Sequence, residues 1–338
     1  MVADFNHDGK LDLAIGWTDG GRSIIQVFPG NGDGTFHRSI DTDIPFAIYG
    51  LVTGDFNGDG IEDIALSKIG HFNISTLYVF LGTGDGHFTQ APEGGSMGYQ
   101  PVLAADFNGD GKLDLIVAHY DSESDAFLYV AYGNGDGTFA DPVFFEEQEF
   151  YSLPAAGDFN GDGILDVATT PCSYCSGNTR GEVDVFWGTS AGFQPPAIYP
   201  MPNRGQGVAV GDVNRDGNLD IVAAYSNLLL GNGTGGFTEQ GDGPNVDASQ
   251  LVDFNNDQKL DMFSPELPGS FSVFLGNGDG TFQAQQTWSS GTAGTNPIVV
   301  GLPKDGNLGV IDLNTNALGQ WVVSVYRQTP VSLPATSR

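Results

Sequence analysis

Between residues 99 and 150 short apolar runs alternate with polar, glycine-rich breaks. "YQPVLAA" leads into Asp106, "LDLIVAH" covers 113–119, "AFLYVAYG" covers 126–133, and "FADPVFF" opens a fourth run. Runs this short, rich in Val, Ile, Phe and Tyr, predict strands rather than helices. The breaks carry turn chemistry: "NGDGT" at 134–138 strings together Gly, Asn and Asp, residues that accept positive φ. Four consecutive strands joined by short turns predict one antiparallel meander.

The unit recurs. An acidic stretch stands between the first and second strands of each copy. It reads "DFNHDGKLD" at 4–12, "DFNGDGIED" at 55–63, "DFNGDGKLD" at 106–114, "DFNGDGILD" at 158–166, "DVNRDGNLD" at 212–220 and "DFNNDQKLD" at 253–261, with a worn relic "GLPKDGNLG" at 301–309. Successive copies start 51, 51, 52, 54, 41 and 48 residues apart. A period near fifty signals a repeat architecture. Radial repetition of four-stranded meanders is a β-propeller. The expected fold is therefore all-β, a seven-bladed propeller of four-stranded antiparallel blades. Because each blade packs mainly on its neighbours, the whole of 1–338 is expected to form one domain. The relic keeps its strand-like runs ("NPIVVGL", "LGVIDL", "QWVVSVYR") after losing its acids, so the strands are architecture and the acids an addition.

A second motif shares the period, as in "FLGTGDGHF" at 80–88 and "AYGNGDGTF" at 131–139. Its closing Phe stands in all six copies (Phe36, Phe88, Phe139, Phe193, Phe237 and Phe282), whereas its Asp is missing from the fourth and fifth. An aromatic that persists while its polar neighbour varies predicts packing between sheets.

Composition alters the picture chiefly through charge. Twelve Lys and Arg face 42 Asp and Glu, a net charge of −30. Nucleic acid and anionic membranes would be repelled. No apolar run reaches the ~18 residues of a membrane span, so neither nucleic acid nor membrane insertion is expected. The first ten residues lack the apolar core of a signal peptide, and Met1 falls three residues before the first acidic loop. The expectation is that the first blade is truncated or that the chain's start lies upstream.

The acidic stretch has ligand chemistry. Side chains at positions 1, 3 and 5 of a tight loop can converge on one point. Position 7 can offer its backbone carbonyl, position 9 a further carboxylate, and Gly at position 6 permits the reversal. Oxygen-only ligands suit Ca²⁺, which takes six to eight of them. Without a cation, the crowded carboxylates would repel and raise one another's pKa. An EF-hand requires Glu at position 12, where this chain has Ile15, Leu66, Val117, Thr169, Ala223 and Ser264.

These paired motifs, at this period and over nearly the whole chain, resemble the FG-GAP/VCBS repeats, which include the propeller of integrin α-subunits. The resemblance implies a seven-bladed propeller with calcium in the loop joining the first two strands of a blade. Carried over by position, the ligands are Asp4, Asn6, Asp8, the Lys10 carbonyl and Asp12 in the first copy. The second has Asp55, Asn57, Asp59, Ile61 and Asp63; the third Asp106, Asn108, Asp110, Lys112 and Asp114. The fourth has Asp158, Asn160, Asp162, Ile164 and Asp166; the fifth Asp212, Asn214, Asp216, Asn218 and Asp220. The sixth has Asp253, Asn255, Asp257, Lys259 and Asp261, but Gln258 replaces Gly and makes it the weakest. No metal is expected at the relic, which leaves five to six Ca²⁺ ions.

Partner recognition is expected on the other face. The separation from the ninth loop residue to the closing Phe varies from 17 to 27, while the return to the next loop varies only from 16 to 19. Length variation thus concentrates in the loops between second and third strands, opposite the calcium loops, and variable loops on a fixed scaffold carry recognition. Candidates there are Trp17, Arg22, Tyr49, Phe72, Tyr99, Tyr120, Tyr151, Tyr174, Arg180 and Arg204. Cys172 and Cys175, the only cysteines, lie in the longest such loop. A local disulfide is expected, consistent with an oxidising extracellular setting.

The five His occupy unrelated registers and no nucleophile motif stands out, so no enzyme is expected. The sequence reads as a monomeric, calcium-stabilised extracellular or cell-surface propeller that binds a protein or glycan partner, as in adhesion. The alternatives are a carbohydrate-active propeller, lectin-like or lyase, and a structural segment of a larger surface protein.

Overall fold

The computed structural model describes residues 1–19, 22–33, 35–69, 75–92, 99–120, 126–146, 154–170, 181–201, 207–223, 227–241, 250–266, 270–289, 298–301, 308–315 and 321–327. Its strands group into consecutive meanders. The first sheet holds β1 (Val2–Ala3), β2 (Asp12–Asp19), β3 (Arg22–Phe28) and β4 (Ile40–Ile44). The second holds β5 (Ile48–Gly54), β6 (Asp63–Ile69), β7 (Ser75–Gly82) and β8 (Phe88–Gln90), and the third β9 (Tyr99–Ala105), β10 (Asp114–Tyr120), β11 (Ala126–Ala131) and β12 (Val143–Glu146). The fourth holds β13 (Ala155–Gly157), β14 (Asp166–Thr169), β15 (Gly181–Phe186) and β16 (Ala197–Met201). The fifth holds β17 (Val208–Gly211), β18 (Asp220–Ala223), β19 (Asn227–Gly231) and β20 (Phe237–Gln240), and the sixth β21 (Gln250–Val252), β22 (Asp261–Glu266), β23 (Ser270–Phe274) and β24 (Gln286–Ser289). The last sheet holds β25 (Ile298–Gly301), β26 (Leu308–Thr315) and β27 (Trp321–Arg327).

Every pairing is antiparallel and between sequence neighbours. The expectation of seven four-stranded blades therefore needs correction: among the described residues six sheets have four strands and the last has three. The relic kept the three apolar runs that became β25, β26 and β27, but it has no "GxGDGxF" turn to launch a fourth.

First strands of successive sheets touch, β5 against β9, β13 against β17 and β17 against β21, and β2 of the first sheet touches β5 of the second. That is the radial order of a propeller. The core is not one pool. Ile25, Val27, Ile64 and Leu66 fill the seam between the first two sheets, and Ala65, Val79, Leu115 and Val117 the next. Three further seams repeat the pattern. Strands in these sandwiched sheets are buried on both faces, which explains their near-continuous apolar runs. Among the described residues no helix is long and apolar enough to cross a membrane.

The meander places the acidic loops and the turns between third and fourth strands at one end of each four-stranded blade. Glycine is required where they meet. A Cβ on Gly133 would stand 2.1 Å from the carbonyl oxygen of Leu113, and the same approach recurs at Gly188 and Leu165.

Candidate metal centres

In the loop at 55–63 the side chains fold inward. Asp55 Oδ1 accepts the amides of Gly58 (2.7 Å) and Asp59 (3.1 Å), and its Oδ2 accepts that of Gly60 (2.8 Å). Asn57 Oδ1 accepts the same Asp59 amide at 2.9 Å, while Asn57 Nδ2 donates to Asp59 Oδ2 at 2.9 Å. Asp59 Oδ1 accepts the Ile61 amide at 2.8 Å. The side chains of positions 1 and 3 thus share the amide of position 5, whose own carboxylate takes the amide of position 7. The pattern repeats at Asp106, Asn108 and Asp110 and at Asp158, Asn160 and Asp162. It recurs at Asp212, Asn214 and Asp216, at Asp253, Asn255 and Asp257, and at Asp4, Asn6 and Asp8.

Two residues per loop must be left-handed. Position 6 has φ from 80° to 90° at Gly9, Gly60, Gly111, Gly163 and Gly217, and 66° at Gln258. Position 4 is also left-handed, at Gly58, Gly109 and Gly161 but also at His7, Arg215 and Asn256. The second requirement escaped the sequence reading, although Gly occupies position 4 in three copies. A side chain there costs about 1–2 kcal/mol of backbone strain.

Position 9 behaves differently from the rest. Asp12, Asp63, Asp114, Asp166, Asp220 and Asp261 are fully buried. In each, Oδ2 accepts the amide of loop position 2 at 2.9–3.0 Å: Phe5, Phe56, Phe107, Phe159, Val213 and Phe254. Oδ1 accepts a glycine amide from the third-to-fourth turn of the same blade at 2.8–2.9 Å: Gly30, Gly82, Gly133, Gly188, Gly231 and Gly276. This clasp between loop and turn was missed in the sequence; its only trace was the presence of Asp even where Gly at position 6 had been lost.

Burial, together with the carboxylates at positions 5 and 1, raises the pKa of Asp63, Asp114, Asp166 and Asp261 to about 6. Burial and Asp216 do the same to Asp220. In the first loop Lys10 Nζ lies 3.0 Å from Asp8 Oδ2, and its hydrogen bond lowers the Asp8 pKa. Lys259 approaches Asp257 at 3.4 Å.

Among the described residues no three carboxylate, imidazole or thiolate groups form a ready-made cage. Each loop instead offers two surface carboxylates, one amide oxygen and a buried third carboxylate beneath them. The donors are hard oxygens tied to backbone amides within one nine-residue loop, and burial first, then the neighbouring carboxylates, raises the pKa of the position 9 Asp. That donor set fits a hard divalent cation and does not fit zinc or copper.

On the opposite face the candidates scatter. Trp17 donates its indole N–H to Gln26 Oε1 at 2.8 Å. Arg22 pairs with Asp43 at 2.9 Å across exposed surface. Tyr99 packs edge-on against Tyr129 at 5.0 Å and near His119. Tyr49 and Tyr120 lie on β5 and β10, but their side chains are outside the described residues, as are Phe72, Tyr151, Tyr174, Arg180, Arg204, Cys172 and Cys175.

Four-stranded antiparallel blades, each with an acidic loop clasped to its own turn, define an acidic-loop repeat β-propeller. Comparison places it further: the FG-GAP-like repeat matches residues 4–66, 69–117, 106–169, 174–223 and 253–314. The chain belongs to the FG-GAP repeat family. It is 29% identical to human Cartilage acidic protein 1 over 137 residues, covering 36% of this chain and 20% of that protein. It is 27% identical to Integrin alpha-PS2 of Drosophila melanogaster over 197 residues, 49% of this chain and 14% of the relative. Rat Phosphatidylinositol-glycan-specific phospholipase D matches at 28% over 147 residues, 34% of this chain and 17% of the relative. The chain thus matches a fifth or less of each relative's length. In fold it is similar to BBS1N, solved in complex with ARL6DN, with a TM-score of 0.52 at 10% identity over 98% of this chain and 91% of that one.

Proposed function

We propose that this chain is a calcium-stabilised extracellular or cell-surface binding module, monomeric and one domain. The observation that carries the reading is the sixfold recurrence of one loop geometry in which the side-chain oxygens of positions 1, 3 and 5 are tied by backbone amides into a nine-residue loop that closes on a buried carboxylate. In each loop these side chains, the position 7 carbonyl and the position 9 carboxylate would hold one Ca²⁺. A bound cation supplies the positive charge that six crowded carboxylate sets lack. Gln258 makes the loop at 253–261 the weakest holder. The acids serve the scaffold, which leaves the loops between second and third strands, at the other end of the blades, to meet a protein or glycan. Millimolar extracellular calcium would keep the loops filled, and the names of the cartilage and integrin relatives suit that setting.

The test replaces residues 171–180 with a short Asn-Gly turn and compares retention on cell-surface protein and glycan arrays in millimolar calcium. A parallel variant, Asp110→Ala, alters a calcium loop. Retention lost on loop replacement but kept in Asp110→Ala supports the assignment. Retention that follows Asp110→Ala and ignores loop replacement, at this and the other second-to-third loops, moves the binding face to the acidic end.

A further inference from the structure

The loop residue at position 2 faces two ways. Its amide is held by the position 9 carboxylate of its own blade. Its side chain is the socket for the next blade's closing Phe. Phe5 meets Phe88 with ring centroids 5.9 Å apart, Phe56 meets Phe139 at 5.6 Å, Phe107 meets Phe193 at 5.8 Å and Phe159 meets Phe237 at 5.6 Å, all steeply inclined. Val213 and Phe282 share the fifth seam. The backbone joins in: Gly137 N donates to Phe56 O (3.0 Å), Gly235 N to Phe159 O (3.2 Å) and Gly280 N to Val213 O (3.2 Å). The turn that makes this contact is itself pinned to its own buried carboxylate, as Gly133 is to Asp114 at 2.8 Å.

We propose that these contacts form one continuous relay around the propeller. It runs from turn to buried Asp, from Asp to the position 2 amide, and from that residue to the turn of the next blade. Each acidic loop thereby holds both seams of its blade: its position 2 residue receives the next blade's turn, and its position 9 carboxylate pins the turn that reaches back to the blade before. The relay ends at the sixth blade. There the ring of Phe254 lies 6.4 Å from Trp288 of its own outer strand rather than against a closing Phe. Position 2 sits between two loop residues whose oxygens face the cation position, so ordering the loop orders the socket. The relay stands on hydrogen bonds and ring contacts; its response to calcium rests on the metal reading above.

Hydrogen exchange with mass spectrometry on the full chain tests both layers. Phe139→Leu keeps an apolar side chain and empties the aromatic socket contact of the second loop. Losing one inclined aromatic pair should speed exchange of residues 56–61 by about ten-fold, while residues 158–166 stay as protected as in the parent. Unchanged exchange at 56–61, or equal acceleration at 158–166, overturns the relay. The second variant, Asp59→Ala, is compared in calcium and in EDTA. In calcium it should deprotect residues 133–140 in the third blade and leave residues 30–37 in the first untouched. Unchanged protection at 133–140, or equal deprotection of 30–37, overturns the relay. Parent profiles identical in calcium and EDTA, with the Phe139→Leu effect intact, support the relay and remove calcium from it.

Discussion

A double-mutant cycle across the fourth seam puts a number on the inter-blade clasp. Phe159 is 2% exposed, and its ring meets that of Phe237 at 5.6 Å and 68°. Phe159→Leu and Phe237→Leu each keep an apolar side chain, so the reshaping alone should cost under about 1.5 kcal/mol. Each also loses the same edge-to-face pair, worth about 0.5–1.5 kcal/mol beyond buried area. Single variants should thus lose about 1–3 kcal/mol. Because the pair can be lost only once, the double variant should lose about 1 kcal/mol less than the sum. Phe237 also meets Tyr199 edge-on at 5.2 Å, so Phe237→Leu should be the costlier single change. Urea unfolding of the four proteins, in calcium and under conditions where refolding is reversible, measures these values. Additivity within about 0.3 kcal/mol would refute an energetic link across the seam.

Two further predictions follow from the loops. In metal-free protein the buried Asp63, Asp114, Asp166, Asp220 and Asp261 have pKa values raised from 3.8 to about 6. Between those values the folded state binds more protons than the unfolded one, so stability should fall as pH rises from about 4 through about 6. Melts in EDTA at pH 5.0 and 7.5 should show the higher Tm at pH 5.0, and calcium should shrink or reverse the difference; a higher metal-free Tm at pH 7.5 contradicts the charge argument. At the sixth loop Gln258 holds φ 66°, so Gln258→Gly should stabilise by up to about 1 kcal/mol, relief of left-handed strain outweighing added chain entropy. A lower Tm for that variant would show that the Gln side chain contributes more than its backbone costs.

The strands and their order were legible because each blade repeats the same short apolar runs, and even β25, β26 and β27 could be read from the relic. That the last sheet holds three strands among the described residues was not, because counting repeats assumed a fourth strand even where the turn that starts one is missing. Positions 1, 3 and 5 could be read from spacing because convergence within nine residues is local. The role of Asp114 could not, because its partner Gly133 lies 19 residues away and is fixed only when strands pair. The same holds for Phe56 and Phe139. Recurrence marked Phe139 as a packing residue, but only the seam between blades shows that Phe56 is its socket. Arg215, like His7 and Asn256, stands at a left-handed position that three other copies give to Gly, and that mixture hid the requirement at position 4.

The central claim, that the acidic loops are cation holders for the scaffold, is tested most directly by thermal melts with added calcium, with magnesium and with EDTA, beside a metal count on the purified protein. The account predicts a large shift specific to calcium and about six ions per chain, one per loop, with the loop at 253–261 the last to fill. Identical melts in all three conditions, with no bound metal, would contradict it.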